Sequence, residues 1–274
     1  MPEGDTIFRA ARTLNRALAG HTVTRFETVL PQLSRIDQDS PVAGRTIESV
    51  ESQGKWMLMR FSGDLTLLSH MRMNGSWHIY RPGEAWQRGR HHMRVVIETP
   101  SFVAVGFDVP VAEFHNSASL SRHPSLTGLG PDVLDENFDP QEAASRLREL
   151  GDLPVGDALL RQSAVAGVGN VFKSEICFAC RVNPFRKISS LSEAELLCLT
   201  TKAQEYLRAN VTHGDGVVTY SGFRRTTRRA NPGERLWVYA RHNQPCRRCG
   251  AAVLSQKQGE AARVTFWCPR CQPL

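Results

Sequence analysis

The first twenty residues have the spacing of an amphipathic helix. Asp5 or Thr6 can cap its start, and Gly20 is a residue type at which helices commonly end. Four apolar residues fall on one face of this segment: Ile7, Ala11, Leu14 and Leu18. The pattern predicts one helix with a single buried face.

From about residue 22 the period changes to short alternating runs separated by Gly, Pro and Asp. Such runs are typical of antiparallel β-sandwiches and barrels. Seven strands are predicted, over residues 22–27, 46–51, 56–61, 65–71, 76–80, 93–98 and 102–107.

Helical signals return near residue 130. Asp139 and Pro140 open a helix that runs to Leu150. A second helix is predicted over residues 157–162, and a third begins near Asn170. The middle of the chain is therefore predicted to be helical.

A longer helix and a different C-terminal region follow. Ser192 and Glu195 form a capping box ahead of four apolar residues on one helical side: Leu196, Ala203, Leu207 and Val211. Residues 213–235 are rich in Gly, Arg, Thr and Ser and predict a mobile basic loop. Two short strands are predicted beyond it, over residues 236–240 and 263–267.

Basic residues are concentrated at the end of the chain. The formal charge of +7 comes from 34 Lys and Arg against 27 Asp and Glu, yet residues 221–274 alone hold 11 basic and 2 acidic residues. A basic segment next to a nearly neutral body is typical of proteins that bind a polyanion, most often nucleic acid. A basic solvated surface is the alternative.

The composition excludes other classes of protein. No apolar run approaches the ~20 residues of a membrane-spanning helix, and residues 1–30 lack the order of a secretory signal. We therefore expect a cytoplasmic protein without membrane association. In a reducing compartment, the 7 Cys favour metal or core roles over a disulfide framework.

Two Cys-x2-Cys pairs near the C-terminus have the spacing of a structural zinc site: Cys246 with Cys249, and Cys268 with Cys271. Each pair can present two thiolates from one tight turn, and four thiolates complete a tetrahedron with no open position. One structural zinc ion is expected, with free thiols as the alternative. The surrounding arginines suit a surface that binds phosphate: Arg241, Arg247, Arg248, Arg263 and Arg270.

A further pair, Cys177 and Cys180, lies in a segment with helical apolar spacing. Apart from the four zinc candidates, Cys198 is the one remaining cysteine. No second pair is therefore left to complete a four-ligand site with Cys177 and Cys180. We expect these thiols to pack in the core as small apolar side chains.

The second residue is a proline. Removal of Met1 leaves Pro2 as a secondary amine, and an α-amino group titrates at about 7.7–8.0, so a useful fraction is an unprotonated nucleophile at physiological pH. Attack of this amine on a sugar C1′ gives an iminium ion, which is an electron sink. Taken alone, Pro2 is more often only the residue after the start.

Four motifs together resemble the Fpg/Nei DNA glycosylases. They follow the family's order over nearly the whole chain: Pro2-Glu3-Gly4, Gly54-Lys55, Leu159 to Gln162 followed by Val165 to Val171, and Arg263 to Gln272. The opening motif is more similar to the bacterial endonuclease VIII (Nei) branch than to Fpg. The resemblance implies an α+β multidomain fold: an N-terminal β-sandwich with an N-terminal helix over 1–121, a helix-two-turn-helix domain over 122–222 and a zinc-ribbon finger over 236–274.

The resemblance also implies roles for individual residues. Pro2 is the Schiff-base nucleophile at C1′, and Glu3 is the acid that aids departure of the base. Lys55 assists β-elimination, and Arg263 contacts phosphate and serves δ-elimination. Asn170 holds a backbone phosphate near the lesion. Arg247 and Arg248 are further candidates for DNA contacts near the ribbon.

A glycosylase must extrude its target base, so it needs side chains that fill the gap. Residues 71–75 correspond to the turn in which the family places them, and Arg72 and Met73 are the candidates. Core packing of Met73 is the alternative. Thr6 stands where relatives carry an acid, and Asp5 is a candidate substitute.

The implied function is that of a bifunctional DNA glycosylase and AP lyase of base excision repair, acting on double-stranded DNA that contains oxidised bases or abasic sites. The Nei-like start favours pyrimidines, whereas Met73 resembles the Fpg pattern and leaves oxidised purines as an alternative. A non-catalytic damaged-DNA-binding protein of the same fold is another. We expect a monomer with one structural zinc ion and no diffusible cofactor.

Overall fold

The computed structural model describes residues 2–212, 224–227, 229 and 231–274. The described residues form two compact units, the first made of Pro2 and residues 6–127 and the second of residues 3–5 and those from 128 onward. Much of the loop predicted over 213–235 lies outside the described residues. Among those described, no helix is both long enough and apolar enough to cross a bilayer.

The chain from residue 2 to residue 127 contains four α-helices and eight β-strands. Its elements are α1 (Gly4–Leu18), β1 (Arg25–Thr28), α2 (Pro31–Asp39), β2 (Ile47–Gln53), β3 (Trp56–Phe61), β4 (Leu65–His70), β5 (Ser76–Tyr80), β6 (Met93–Glu98), β7 (Val103–Phe107), β8 (Val111–His115), α3 (Ser117–Leu120) and α4 (Pro124–Thr127). The strands form two antiparallel four-stranded sheets, in the orders β1-β6-β7-β5 and β2-β3-β4-β8.

The core of the first unit contains the apolar face predicted for α1. Ile7, Ala11, Leu14 and Leu18 are each at most 2% exposed and pack with buried strand residues such as Met57. Burial of this single face ties the helix to the sheets. The sequence prediction for α1 is confirmed.

Four elements of this unit were not predicted: α2, β8, α3 and α4. Helix α2 starts with Pro31 after Leu30, which provides no side-chain cap, and Leu33 is its one buried residue, so its apolar period is weak. Strand β8 alternates half-buried and buried residues and pairs with β4. The first predicted strand begins later than expected, at Arg25.

The second unit is helical, with one β-hairpin. Its elements are α5 (Pro140–Arg148), α6 (Val155–Ala158), α7 (Asn170–Ala179), α8 (Glu193–Thr212), β9 (Leu254–Gln258) and β10 (Arg263–Trp267). Asp139 caps α5 by accepting the Gln141 amide at 2.8 Å. The capping box predicted from Ser192 and Glu195 is present. Strands β9 and β10 pair antiparallel.

The strand predicted over residues 236–240 is wrong. The amides of Trp237, Val238 and Tyr239 all donate to the carboxylate of Glu175 on α7 instead of to a neighbouring strand. The segment is therefore fixed by one buried side chain that lies more than 60 residues earlier in the chain.

The core-packing prediction is correct for Cys177 and wrong for Cys180. Cys177 is fully buried on α7. Cys180 follows the end of α7 and forms a disulfide with Cys198 on α8, with 5.9 Å between their Cα atoms. The packing of α7 against α8 brings the two thiols together, which a separation of 18 residues did not reveal.

Candidate active site and zinc centre

Glu3 is a fully buried carboxylate at the start of α7. Its Oε1 accepts the amide of Val171 at 2.8 Å, and its Oε2 accepts that of Phe172 at 3.3 Å. Amides in the first turn of a helix lack partners within the helix, and the helix dipole there favours negative charge. The start of α7 therefore fixes Glu3, which precedes it by 168 residues.

Two glycines allow the N-terminal segment to lie this close to α7. A Cβ at Gly169 would lie 2.2 Å from Cδ of Glu3, and a Cβ at Gly4 would lie 2.8 Å from Cα of Gly167. The Gly4 amide donates to the Gly167 carbonyl at 2.9 Å. Close backbone approach thus explains the glycine pattern before Asn170.

Asp5 is a second fully buried carboxylate on the same segment. Nε of Arg224 donates to its two oxygens at 3.1 and 3.0 Å, and Nη2 donates to Oδ1 at 2.9 Å. Nη1 of the same guanidinium lies 4.0 Å from Oε1 of Glu3. Arg224 was not predicted from the sequence, because 219 residues separate it from Asp5.

Helix α7 also holds the strand that begins with Arg263. Three of its side chains bond to β10: Asn170 Nδ2 to the Val264 carbonyl at 2.9 Å, Lys173 Nζ to Thr265 Oγ1 at 2.6 Å, and Ser174 Oγ, as acceptor, to the Phe266 amide at 3.3 Å. Within the second unit, one helix therefore positions both Glu3 and Arg263. Oδ1 of Asn170 is buried and has no hydrogen-bond partner among the described residues.

Lys173 is a fully buried cationic side chain in this unit. Its pKa is lowered to about 8, chiefly by burial and also by the charge of Arg263, while the carboxylates of Asp157 and Glu3 act in the opposite direction. Thr265 accepts from Lys173 and donates to Gln258 Oε1 at 2.7 Å. No local pattern in the sequence indicated a role for Lys173.

In the first unit, Lys55 lies at the tip of the β2–β3 hairpin. Gln53 pairs with Trp56, so the connecting turn contains two residues. Gly54, the first of them, has φ of 59°, which L-residues rarely adopt. The turn therefore favours glycine at position 54, and this places Lys55 at the end of the hairpin.

His70, at the end of β4, is a neighbour of Lys55 that the sequence analysis missed. Its pKa is lowered to about 4, chiefly by burial and also by the charges of Arg72 and Lys55, so the ring is neutral at physiological pH. Its Nδ1 accepts the Arg72 amide at 2.9 Å. Nε2 therefore carries the ring proton and can act as a donor.

Arg72 and Met73 lie in a tight turn after β4. The Gly75 amide donates to the Met71 carbonyl at 2.9 Å, and Arg72 adopts a left-handed φ of 49°. Met73 is 53% exposed, so the alternative of core packing is wrong for this side chain. Pro2, the remaining candidate of the first unit, is half-buried.

The four predicted zinc ligands come together in the second unit: Cys246, Cys249, Cys268 and Cys271. Two of their Sγ···Sγ distances are 3.9 and 3.5 Å. Four sulfurs bound at about 2.3 Å to a tetrahedral ion lie about 3.8 Å apart. The cysteines therefore fit one zinc ion, which would hold the β9–β10 ribbon together and leave no position open for catalysis.

The ribbon arginines Arg247 and Arg248 make contacts inside the second unit. Arg247 donates to the Leu236 carbonyl at 3.0 Å, to Glu234 at 3.1 Å and to the Gly233 carbonyl at 2.7 Å. The guanidinium carbon of Arg248 lies 4.3 Å from the centroid of the Phe178 ring. Both side chains thus have structural contacts that the sequence did not predict.

A second group of possible metal ligands lies in the first unit, where Glu113 Oε2 is 3.2 Å from His115 Nε2 and 3.5 Å from His123 Nε2. Nδ1 of His123 is buried without a partner among the described residues. A metal-bound Nε2 would move the ring proton to that unpartnered atom, whereas metal-binding histidines usually donate from it. The group is better explained as one carboxylate that is hydrogen-bonded to His115 and lies close to His123.

Family models match three successive parts of the chain. Residues 1–108 match the formamidopyrimidine-DNA glycosylase N-terminal domain, residues 129–221 match the H2TH domain of the same enzymes, and residues 243–274 match the zinc finger found in FPG and IleRS. The helix-two-turn-helix and zinc-ribbon architecture and the structural zinc ion are thereby confirmed. The exact domain boundaries stay a prediction.

Full-length relatives have related names. The chain is 40% identical to "Probable endonuclease 8 2" of Streptomyces coelicolor, covering 99% of this chain and 94% of that protein. It is 35% identical to "DNA-(apurinic or apyrimidinic site) lyase Nei2" of Mycolicibacterium smegmatis, covering 99% of each. It is 32% identical to "Endonuclease 8" of Escherichia coli, covering 99% and 100%.

Solved structures agree on the fold. The structure of Lactococcus lactis Fpg in complex with DNA containing an abasic site superposes with a TM-score of 0.84 at 22% identity, covering 100% of both chains. The sequence motifs, the fold of the two units and the names of the full-length relatives all indicate the same family. The chain belongs to the Fpg/Nei family of DNA glycosylases.

Proposed function

We propose that this base-excision-repair glycosylase and AP lyase uses Pro2 as its nucleophile and Glu3 as its acid. The Pro2 nitrogen bonds to C1′ of the damaged nucleotide as the bond from C1′ to the base breaks, and the base leaves with a proton. Opening of the sugar ring gives an iminium ion. Loss of a proton from C2′ then expels the 3′ phosphate, and a second elimination expels the 5′ phosphate.

The observation that carries this proposal is the position of Glu3. Its carboxylate is fully buried and accepts two amides of α7, which leaves lone pairs for a proton. It adjoins Pro2 in the chain, and a carboxyl group beside the attacking amine can move protons within hydrogen-bond reach. Burial shields this acid from bulk water.

The elimination steps are assigned to two cations. Lys55, at the tip of the β2–β3 hairpin, would assist loss of the C2′ proton. Arg263, at the start of β10, would hold the phosphate expelled second. The support for both is their place in rigid elements, a two-residue hairpin turn and a strand bonded to α7.

We assign double-stranded DNA with oxidised or abasic nucleotides as the partner. The 11 basic residues over 221–274 support phosphate binding. The exposed Met73 and its neighbour Arg72 are candidates to fill the gap left by the extruded base. Asn170 would contact a phosphate. Arg248 at the ribbon would also contact DNA, whereas Arg247 would mainly stabilise the second unit through its internal hydrogen bonds. The enzyme would act as a cytoplasmic monomer.

Oxidised pyrimidines are the proposed substrates because the chain is 32–40% identical to proteins named endonuclease 8. The test compares single-turnover excision of thymine glycol, dihydrouracil and 8-oxoguanine from otherwise identical duplexes. We expect the two pyrimidines to be released faster. Preferential release of 8-oxoguanine would favour the purine alternative.

The same gels test the lyase activity on a duplex with one abasic site. We expect incision with phosphate at both new ends, and strong loss of incision in Pro2→Gly. Lys202→Met, which changes a half-buried lysine of α8, is the matched control and should incise normally. Tight binding without any incision would instead support the non-catalytic alternative.

A further inference from the structure

One guanidinium in the second unit faces two buried carboxylates of the N-terminal segment. Arg224 makes three contacts of 2.9–3.1 Å with Asp5, whereas its nearest approach to Glu3 is 4.0 Å. The first contact is a two-point ion pair, and the second lies beyond hydrogen-bond length. The guanidinium therefore lies near Glu3 without occupying its lone pairs.

The segment that presents Arg224 is itself fixed. The side chain of Asn210 bonds to both the amide and the carbonyl of Arg225 at 2.8 Å. The hydroxyl of Thr226 donates to Glu175. The Arg224 guanidinium carbon also lies 5.4 Å from the centroid of the Phe172 ring. Contacts thus fix the backbone next to Arg224, the plane of its guanidinium against Phe172 and its charged nitrogens against Asp5.

The remaining distance to Glu3 depends on Asp5. A buried arginine beside a buried glutamate would ordinarily close to a direct ion pair, because an uncompensated charge inside a protein is costly. Asp5 offers the guanidinium a closer carboxylate. As long as that pair is intact, Glu3 keeps its bonds to the amides of Val171 and Phe172.

We propose that Asp5 and Arg224 are positioning residues for Glu3: Asp5 retains the guanidinium, so that Arg224 orients the Glu3 carboxylate without capturing it. The proposal rests on the function of Glu3 as the acid proposed above. It assigns Asp5 a role in the reaction that is exerted through Arg224 and Glu3. Among the described residues, the positive end of the α7 dipole and the buried Lys173 also lie near Glu3.

The test uses Asp5→Asn, Arg224→Gln and the double variant. In Asp5→Asn the guanidinium loses its carboxylate and turns to Glu3, so we expect base release from a lesion duplex to slow by about 10–100-fold, a part of the 10²–10⁴-fold that one acid–base group contributes. Incision at a preformed abasic site, which needs no departing base, should change less than about 3-fold. Arg224→Gln alone should slow base release less than Asp5→Asn does.

The decisive result is the double variant. Removal of Arg224 from the Asp5→Asn protein takes away the cation that captures Glu3, so base release should recover to within about 5-fold of the unmodified protein. A double variant no faster than Asp5→Asn would overturn the proposal, as would full activity of Asp5→Asn. Glu142→Gln breaks an exposed ion pair with Arg146 on α5 and is the matched control with no expected effect.

A spectroscopic readout separates this proposal from the function assigned to Glu3. The amide proton of Val171 reports its bond to Glu3 in ¹⁵N-labelled protein without DNA. We expect its resonance to move upfield in Asp5→Asn and to return in the double variant. If the resonance moves in Asp5→Asn and returns in the double variant while the rate of base release stays unchanged, the proposed geometry is correct and the role of Glu3 as acid is wrong. Melting temperature and zinc content verify folding of each variant.

Discussion

Two buried glutamates at α7 have opposite hydrogen-bonding states. Glu175 accepts four donors, which are the Thr226 hydroxyl and the amides of Trp237, Val238 and Tyr239. Glu3 accepts two amides. A carboxylate has about four acceptor positions, so Glu175 is saturated and Glu3 is not.

This difference separates a structural carboxylate from one that can exchange a proton. Burial raises the pKa of Glu175, and its four donors act in the opposite direction by stabilising the ionised form. All of its bonds fix the segment that leads to the zinc ribbon. Burial alone therefore does not identify a catalytic acid, whereas unused acceptor positions beside the proposed nucleophile do.

Glu3→Gln should give the largest change in activity. An amide can still accept from α7 but cannot donate the proton of an acid, so we expect single-turnover base release to fall by about 10²–10⁴-fold. The free energy of unfolding should fall by about 1–3 kcal/mol, because one amide of α7 keeps its acceptor and the other loses it. Base release within a factor of three of the unmodified protein would remove Glu3 as the acid.

Glu175→Gln should have the opposite profile. Its NH2 group would face amide donors in a buried site, and we expect the free energy of unfolding to fall by about 3–5 kcal/mol. Urea unfolding measures this loss, and zinc content tests the ribbon. Base release per folded molecule should stay near normal. A stable Glu175→Gln protein with low activity would reverse the roles assigned to the two glutamates.

Lys173→Met should give a smaller effect that depends on pH. The folded-state pKa of Lys173 is lowered from 10.5 to about 8, so between these values the unfolded chain binds more protons and stability rises with pH. That rise amounts to at most about 3 kcal/mol and should be absent in Lys173→Met. Unfolding at pH 7.5 and 10 measures it, with Lys202→Met as control. Parallel curves for Lys173→Met and the unmodified protein would contradict the lowered pKa.

Local patterns in the sequence predicted the elements that local chemistry determines. The apolar face of α1, the capping box at Ser192 and the paired Cys-x2-Cys turns each depend on residues a few positions apart. The motifs carried by Pro2 and Glu3 then indicated the chemistry through their resemblance to a family. These predictions needed no knowledge of tertiary packing.

Long-range contacts explain what the sequence did not reveal. The Asp5–Arg224 pair joins residues 219 positions apart, and either residue alone is an ordinary charged side chain. The segment predicted as a strand over 236–240 is held instead by Glu175. The same holds for Cys180 and Cys198, which two packed helices bring together.

The central claim is that the amine of Pro2 forms the covalent intermediate. Borohydride reduction during reaction with a lesion duplex should trap protein on DNA, and mass spectrometry of the digested adduct locates the bond. We predict that the modified peptide is the N-terminal one, linked through the Pro2 nitrogen, and that Pro2→Gly greatly reduces trapping. An adduct on the peptide containing Lys55, or trapping unchanged in Pro2→Gly, would contradict the account.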